Sequence, residues 1–315
     1  MALPDYEGWA CFVAVAEGGS FTAAAASLGL SKASVSKAVT RLEASLGITL
    51  LHRSSRVVTV STAGAGLLDE ARAMVSAATA ATEAARGDRV DLAGPIRLAA
   101  PMSFGIKVLG PPIAAFLERH PAVEIEVLLS DARNDPVAEG IDLTLRIAPL
   151  ADSSLLARTI APVAASVIAS PAYLEKHGTP KHPLELSGHR LIGYGHRQRA
   201  MPLHFHRQGE EVTVLPTGPL FANNGDIAVP LVSAGGGIAV LPDFIAADEL
   251  ASGAVVPILT DWSMPQAHLH LLSPPSRLRP ARVKALSDHL VDTLKVSCTG
   301  AHARHMALHH DAKPG

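Results

Sequence analysis

The chain has 315 residues, 48% of them hydrophobic and 18% charged, with a formal net charge of -2. That length predicts two or three domains, and the near-neutral charge excludes a uniformly basic nucleic-acid binder while leaving room for a local basic patch. Two cysteines, Cys11 and Cys298, exclude a disulfide framework or a cysteine-rich zinc site and fit a reducing cytoplasm.

Acidic residues stand where a secretory signal would carry a basic segment, so no export is expected. The longest uncharged runs, Thr159 to Leu174 and Ile227 to Pro242, are 16 residues each, too short to argue for a membrane span. In the first helix Trp9, Phe12, Val13 and Ala16 fall at helical spacing until Gly18 and Gly19 stop it. Ser20 then caps a second helix with Phe21, Ala24, Ala25 and Leu28 on one side, and Gly29 ends it.

Ser31 caps a third helix from Lys32 to about Leu46, whose Val35, Val39, Leu42 and Leu46 form one narrow apolar stripe. The opposite side carries small residues, hydroxyls, Lys37 and Arg41. "ITLLHR" and "RVVTVS" follow as short strands around Ser54 and Ser55, a wing. From Thr62 to Arg86 ten alanines in 25 residues and no proline favour helix. In it Leu67, Ala71, Met74, Ala78, Ala81 and Ala85 repeat at alternating spacings of 4 and 3, a seam for a partner helix. The alternative is a helix packed on its own domain.

After "GDRVDLAGP" strand and helix alternate. Strands are expected at "PIRLAAP", "VEIEVLLS", "DLTLRIA", "ASVIAS", "HRLIGYG", "EVTVLPT" and "GIAVLP", with a helix at Ile106 to Arg119. The pattern predicts α/β domains with mostly parallel sheets and crevices at the strand C-termini.

Two helices joined by a tight Gly-containing turn and followed by a hairpin form a helix-turn-helix, whose second helix enters the DNA major groove. From Ser31 to Arg56 the basic residues Lys32, Lys37, Arg41, Arg53 and Arg56 outnumber the single acid Glu43, a local charge of +4. Small side chains let the backbone approach base edges, and cations neutralise phosphate. The candidate DNA contacts are therefore Ser31, Lys32, Ala33, Ser34, Ser36, Lys37, Thr40 and Arg41, with Arg53 and Arg56 at the wing.

The run from "FVAVAEGGSFTAAAASLGLSKASVSKAVTRLEASLG" through "LLHRSSR" to "STAG" resembles the winged helix-turn-helix of LysR-type transcriptional regulators. The resemblance covers about residues 5–295. It implies an α/β multidomain chain with an N-terminal winged helix-turn-helix (1–61), a linker and dimerisation helix (62–90), and a periplasmic-binding-protein-like effector domain (91–298). That domain would comprise two α/β subdomains, about 91–163 plus 266–295 and about 164–265, ahead of a flexible His-containing tail (299–315).

The chain departs from the family in having Lys32-Ala33 where Gln-Pro is common, so the long cation contacts guanine or phosphate in place of an amide reading adenine. Leu51 stands where Phe is frequent, a change of packing. The resemblance carries cleft positions onto Pro101, Met102, Ser103, Phe104, Arg146, Ile147, Tyr194, Asn223, Asn224, Gly236 and Gly237. Leu67, Ala71, Met74 and Ala78 would serve dimerisation.

Arg146, ending an apolar strand, needs a buried acid such as Asp142 or a ligand anion. Ser103, at a helix N-terminus, suits a carboxylate, and Gly235 to Gly237 let a turn come close to the cleft. "HFH" and "HLH" each place two imidazoles on a strand face but lack a third ligand, so packing is the default and no metal or cofactor is expected.

The resulting expectation is a cytoplasmic bacterial regulator. It would bind an interrupted palindromic operator as a homodimer or homotetramer and respond to a small, anionic effector. A stand-alone small-molecule sensor or solute-binding protein and an α/β enzyme with an appended DNA-binding domain are the alternatives. The absence of G-x-S-x-G, Walker, H-E-x-x-H and Cys-x-x-Cys motifs weighs against the enzyme.

Overall fold

The computed structural model describes residues 4–53, 58–86, 92–131, 140–148, 156–195, 201–274 and 279–310. An N-terminal compact unit extends to Leu92, and a second begins at Ala93.

The N-terminal unit opens with α1 (Tyr6–Gly18), α2 (Phe21–Leu28) and α3 (Lys32–Leu46). Each start has a side-chain oxygen accepting a backbone N–H three residues on: Asp5 from Gly8, Ser20 from Ala23 and Ser31 from Ser34, all at 3.0 Å. One core gathers Phe12, Val15 and Phe21 with Val35, Ala38, Val39 and Leu42 of α3.

Two apolar expectations change. Leu28 is 38% and Leu46 is 41% exposed, while Ala38 takes a buried place. Residues 44–49 are all exposed, because α3 outruns the core at its C-terminal end. β1 (Leu51–Arg53) pairs antiparallel with β2 (Val58–Val60), and α4 (Thr62–Ala65) and α5 (Leu68–Arg86) follow. Ala71 is 3% exposed and Leu67 packs with it on this same core. The expected seam is therefore corrected at its start: Leu67 and Ala71 face the chain's own helices, whereas Met74 is half-buried and Ala78 exposed.

The second unit holds two five-stranded sheets. The first has the order β4-β3-β5-β14-β6, from β3 (Gly94–Ala100), β4 (Val123–Leu129), β5 (Leu143–Ala148), β6 (Leu156–Val163) and β14 (Ala267–Ser273). The second has the order β11-β8-β12-β7-β13, from β7 (Ala165–Ala169), β8 (Leu191–Tyr194), β11 (Leu220–Ala222), β12 (Ile238–Pro242) and β13 (Val256–Ile258). β9 (Leu203–Arg207) and β10 (Glu210–Val214) make a separate hairpin, turned at Gln208 and Gly209 with φ of 50° and 87°.

Helices connect the strands. α6 (Met102–Phe104) passes through a π-helical stretch at Gly105–Leu109 into α7 (Gly110–Arg119), so the expected helix starts four residues early. α8 (Pro171–His177), α9 (Ala228–Ser233) and α10 (Ala247–Ser252) serve the second sheet. α11 (Ala281–His310) ends the described chain, so the expected tail is helical as far as His310.

The sheets are not mostly parallel. β3 pairs parallel with β4 and β5, but β14 runs antiparallel to β5 and β6. Likewise β8 pairs parallel with β11 and β12, while β7 is antiparallel to β12 and β13. Hydrophobic periodicity locates a strand and carries no information on its direction, which here reverses where the chain passes between the sheets. Alternation along β7 sends Val167 and Ala169 into one core, with Phe205 and Trp262, and Ile168 into another, with Val232 and Leu241.

Candidate nucleic-acid interface and effector cleft

The outward side of α3 is prepared before any ligand arrives. Ser31 accepts the Ser34 N–H, and the two hydroxyls lie 2.8 Å apart. Thr40 donates to the Ser36 carbonyl at 2.9 Å. From β1, Arg53 donates to Ser36 Oγ at 3.0 Å, Thr40 Oγ1 at 2.9 Å and Glu43 Oε2 at 3.2 Å, with its guanidinium 4.9 Å from the Phe21 ring centroid.

Glu43 also accepts the backbone N–H groups of Leu50 and Leu51 at 2.8 and 3.1 Å, tying the recognition helix to the wing entry. In sequence Glu43 counts only as the single acid among five basic residues; its place in the last turn of α3, just ahead of the wing, is the signal of this role.

Arg41 is engaged too. Its Nε donates to Asp5 Oδ2 at 2.7 Å, and its Nη2 donates to Asp5 Oδ1 and Glu7 Oε2, both at 2.8 Å. The hydrogen bond from Arg41 holds the Asp5 carboxyl below the usual carboxylate range, against the opposing effect of burial. Lys32 and Lys37 are exposed, and among the described residues no carboxylate pairs with either. Arg56 lies outside the described residues. The nine expected contacts that lie within the described residues thus divide into a hydroxyl-and-Arg53 scaffold, an Arg41 ion pair, and the uncommitted Lys32, Ala33 and Lys37.

In the second unit the candidate cleft lies where α6 leaves the first sheet. Ser103 Oγ donates to Asp226 Oδ2 at 2.7 Å, and Lys107 Nζ stands 3.9 Å from Asp226 Oδ1. The Met102 N–H donates to Asp131 Oδ1 at 3.0 Å, and Asn224 Nδ2 to Asp131 Oδ2 at 3.2 Å. Asn224 also accepts the Asp226 N–H at 2.8 Å, so one continuous network crosses between the subdomains.

Phe104 and Phe244 meet edge to face with ring centroids 5.5 Å apart. Burial, and then the nearby Asp131, push the Tyr194 phenol up. The anion-binding corner read from Ser103 and the helix N-terminus is therefore filled by the chain's own carboxylates. Asp131, Asp226 and Lys107 were missed, although Asp131 directly follows a strand and Asp226 follows "FANNG".

Other expected cleft residues are less unified. Strand alternation turns Arg146 and Ile147 to opposite faces of β5, opposite His270 and Leu269 respectively. Asp142 accepts the Arg97 N–H at 2.9 Å, and among the described residues no carboxylate makes an ion pair with Arg146. On that same face His268 Nδ1, His270 Nε2 and Thr144 Oγ1 are buried with no hydrogen-bond partner among the described residues. Cβ atoms on Gly236 and Gly237 would stand 2.7 Å from the Leu231 carbonyl in α9 and 2.2 Å from the Arg190 carbonyl just before β8, so close packing of the turn on these backbones accounts for both glycines. Asn223 is exposed, and Pro101 and Met102 flank the network.

Comparison with known proteins matches both units. The model for bacterial regulatory helix-turn-helix proteins of the lysR family matches residues 7–65, and that for the LysR substrate binding domain matches residues 89–295. The transcriptional regulator PtxR of Pseudomonas aeruginosa is 37% identical over 90% of this chain and 91% of its own length. The regulator CrgA of Neisseria meningitidis is 32% identical over 90% and 95%.

Among solved structures, the full-length virulence activator AphB of Vibrio cholerae superposes with a TM-score of 0.59 at 29% identity, over 93% of this chain and 99% of that one. CrgA gives 0.55 at 29% identity over 93% and 98%. With a DNA-binding helix-turn-helix at one end and a matched effector domain at the other, the chain belongs to the LysR family of bacterial transcriptional regulators.

Proposed function

We propose that α3 enters the major groove with Lys32, Ala33 and Lys37 toward DNA, while Arg53 holds the wing and the Ser36 and Thr40 hydroxyls in place. The observation that carries this is the contrast on one helix face between paired side chains and two unpaired exposed lysines. Exposed lysines with no carboxylate partner are free to neutralise phosphates and release counterions. In a gel-shift assay Lys37→Ala should weaken operator binding with the fold intact; undiminished binding would sink the assignment.

The operator is an interrupted palindrome read by a homodimer. α5 supplies the pairing surface around Met74 and Ala78, two dimers make a homotetramer, and the protein acts in the cytoplasm without catalysis. The effector is a small molecule with an anionic group. Ser103 and the Met102 N–H already hold the chain's own carboxylates, so the support for an anionic group is Arg146, a cation with which no carboxylate forms an ion pair among the described residues. A ligand acts only by favouring one subunit arrangement over another. Calorimetric titration of candidate acids into wild type and Arg146→Ala tests the assignment, and equal affinities would count against it.

A further inference from the structure

Arg41 lies on the exposed side of the recognition helix, yet three charge-assisted hydrogen bonds bind it to Asp5 and Glu7. Resting on the reading of α3 as the DNA-contacting helix, we propose that Arg41 is a positioning residue: with Asp5 and Glu7 it clamps α3 to the first turn of α1 and makes no phosphate contact.

Four observations carry this. Asp5 meets the guanidinium with both oxygens, the bidentate geometry that Arg forms best. The same Asp5 accepts the Gly8 N–H at 3.0 Å, so one carboxylate caps α1 and grips α3. A Cβ on Gly8 would stand 2.9 Å from Leu42 Cβ; the backbone of α1 therefore packs closely on the α3 side chain next to Arg41, and the clamp borders a tight contact. Finally, two carboxylates around one guanidinium leave a local charge of -1, which repels a phosphate.

Position agrees. Arg41 lies nine residues after Lys32, about 13 Å along the helix, whereas helix-turn-helix proteins read bases with the N-terminal part of the recognition helix. A one-turn error in how α3 sits would move Lys32 and Lys37 off their contacts, so the clamp serves specificity through geometry.

The test uses the full chain with two probes, a mixed-sequence duplex and a duplex selected from a random pool by the wild-type chain, each titrated across a salt series. Lys37→Gln should weaken both and lower the salt slope by about one. Arg41→Gln should keep the wild-type slope and change mixed-sequence affinity by less than about twofold, while losing about tenfold on the selected duplex.

Asp5→Asn retains a capping side chain and guards against misfolding of the Arg41 variant. It should weaken the selected duplex as Arg41→Gln does, and the double variant should be no worse than either. A slope reduced by about one in Arg41→Gln overturns the clamp. So does tighter, more salt-dependent binding by Asp5→Asn, because Arg41 freed from Asp5 would then be reaching phosphate. If Lys37→Gln binds both duplexes like wild type, the placement of α3 on DNA fails, and the clamp's role with it.

Discussion

Lys37 and Arg53 carry the same charge but are tied to the chain to different degrees. Arg53 has three side-chain acceptors and an aromatic face, so its removal frees the wing from α3 and leaves Glu43 less well paired. Arg53→Ala should cost roughly 1–2 kcal/mol in chemical denaturation of the N-terminal unit; a loss of DNA affinity with no loss of stability would show that these bonds are idle. The second unit holds a residue sensitive to acid. Burial, and then His177, lower the pKa of His189, whose Nδ1 lies 3.2 Å from the Tyr173 hydroxyl; that hydroxyl also accepts the Arg190 N–H. A histidine held neutral in the folded state contributes stability above its unfolded pKa of about 6.5, and that contribution is lost as pH falls through the lowered folded value. The thermal unfolding midpoint should therefore fall more steeply from about pH 7.5 toward about pH 5 in wild type than in His189→Gln, the window through the ordinary histidine pKa and below it. Parallel curves would remove His189 from the account.

Helix starts were the most legible elements, because Ser20 and Ser31 are caps whose chemistry acts within three residues. The apolar stripe of α3 was readable as far as Leu42, and failed at Leu46 because periodicity does not say where the neighbouring helices end. On α5 the same spacing of 4 and 3 suits a partner helix or the chain's own core, and only the fold assigns Leu67 and Ala71 to the core. Leu67→Asp should thus unfold the N-terminal unit, whereas Ala78→Asp should leave its circular dichroism intact and lower the mass seen by light scattering. An unchanged mass would move the protomer contact away from α5. In the candidate cleft, the place of Ser103 after a strand is legible locally, while Asp226 was missed because its partner lies 123 residues away. Pairings over that distance depend on topology, and local pattern does not encode them.

At the scale of the molecule, the hydrogen bonds Ser103 to Asp226 and Asn224 to Asp131 join two subdomains that are each complete sheets. Loss of the Asp226 carboxylate leaves the buried Ser103 hydroxyl without its acceptor, at a cost of about 1–3 kcal/mol. Asp226→Ala should accordingly raise amide exchange around Met102 to Leu109, and unchanged protection would show that the bond does not hold the subdomains together. The strand order has its own consequence during synthesis. β14 lies between β5 and β6, yet it is made more than a hundred residues after either. Until residues 267–273 leave the ribosome, two long strands wait with bare inner edges, while the second sheet, whose strands all lie between residues 165 and 258, is made in the interval. The nascent chain is thus most exposed to edge-to-edge association late in its production, and a chain stopped at Pro265 should aggregate although most of its residues are present.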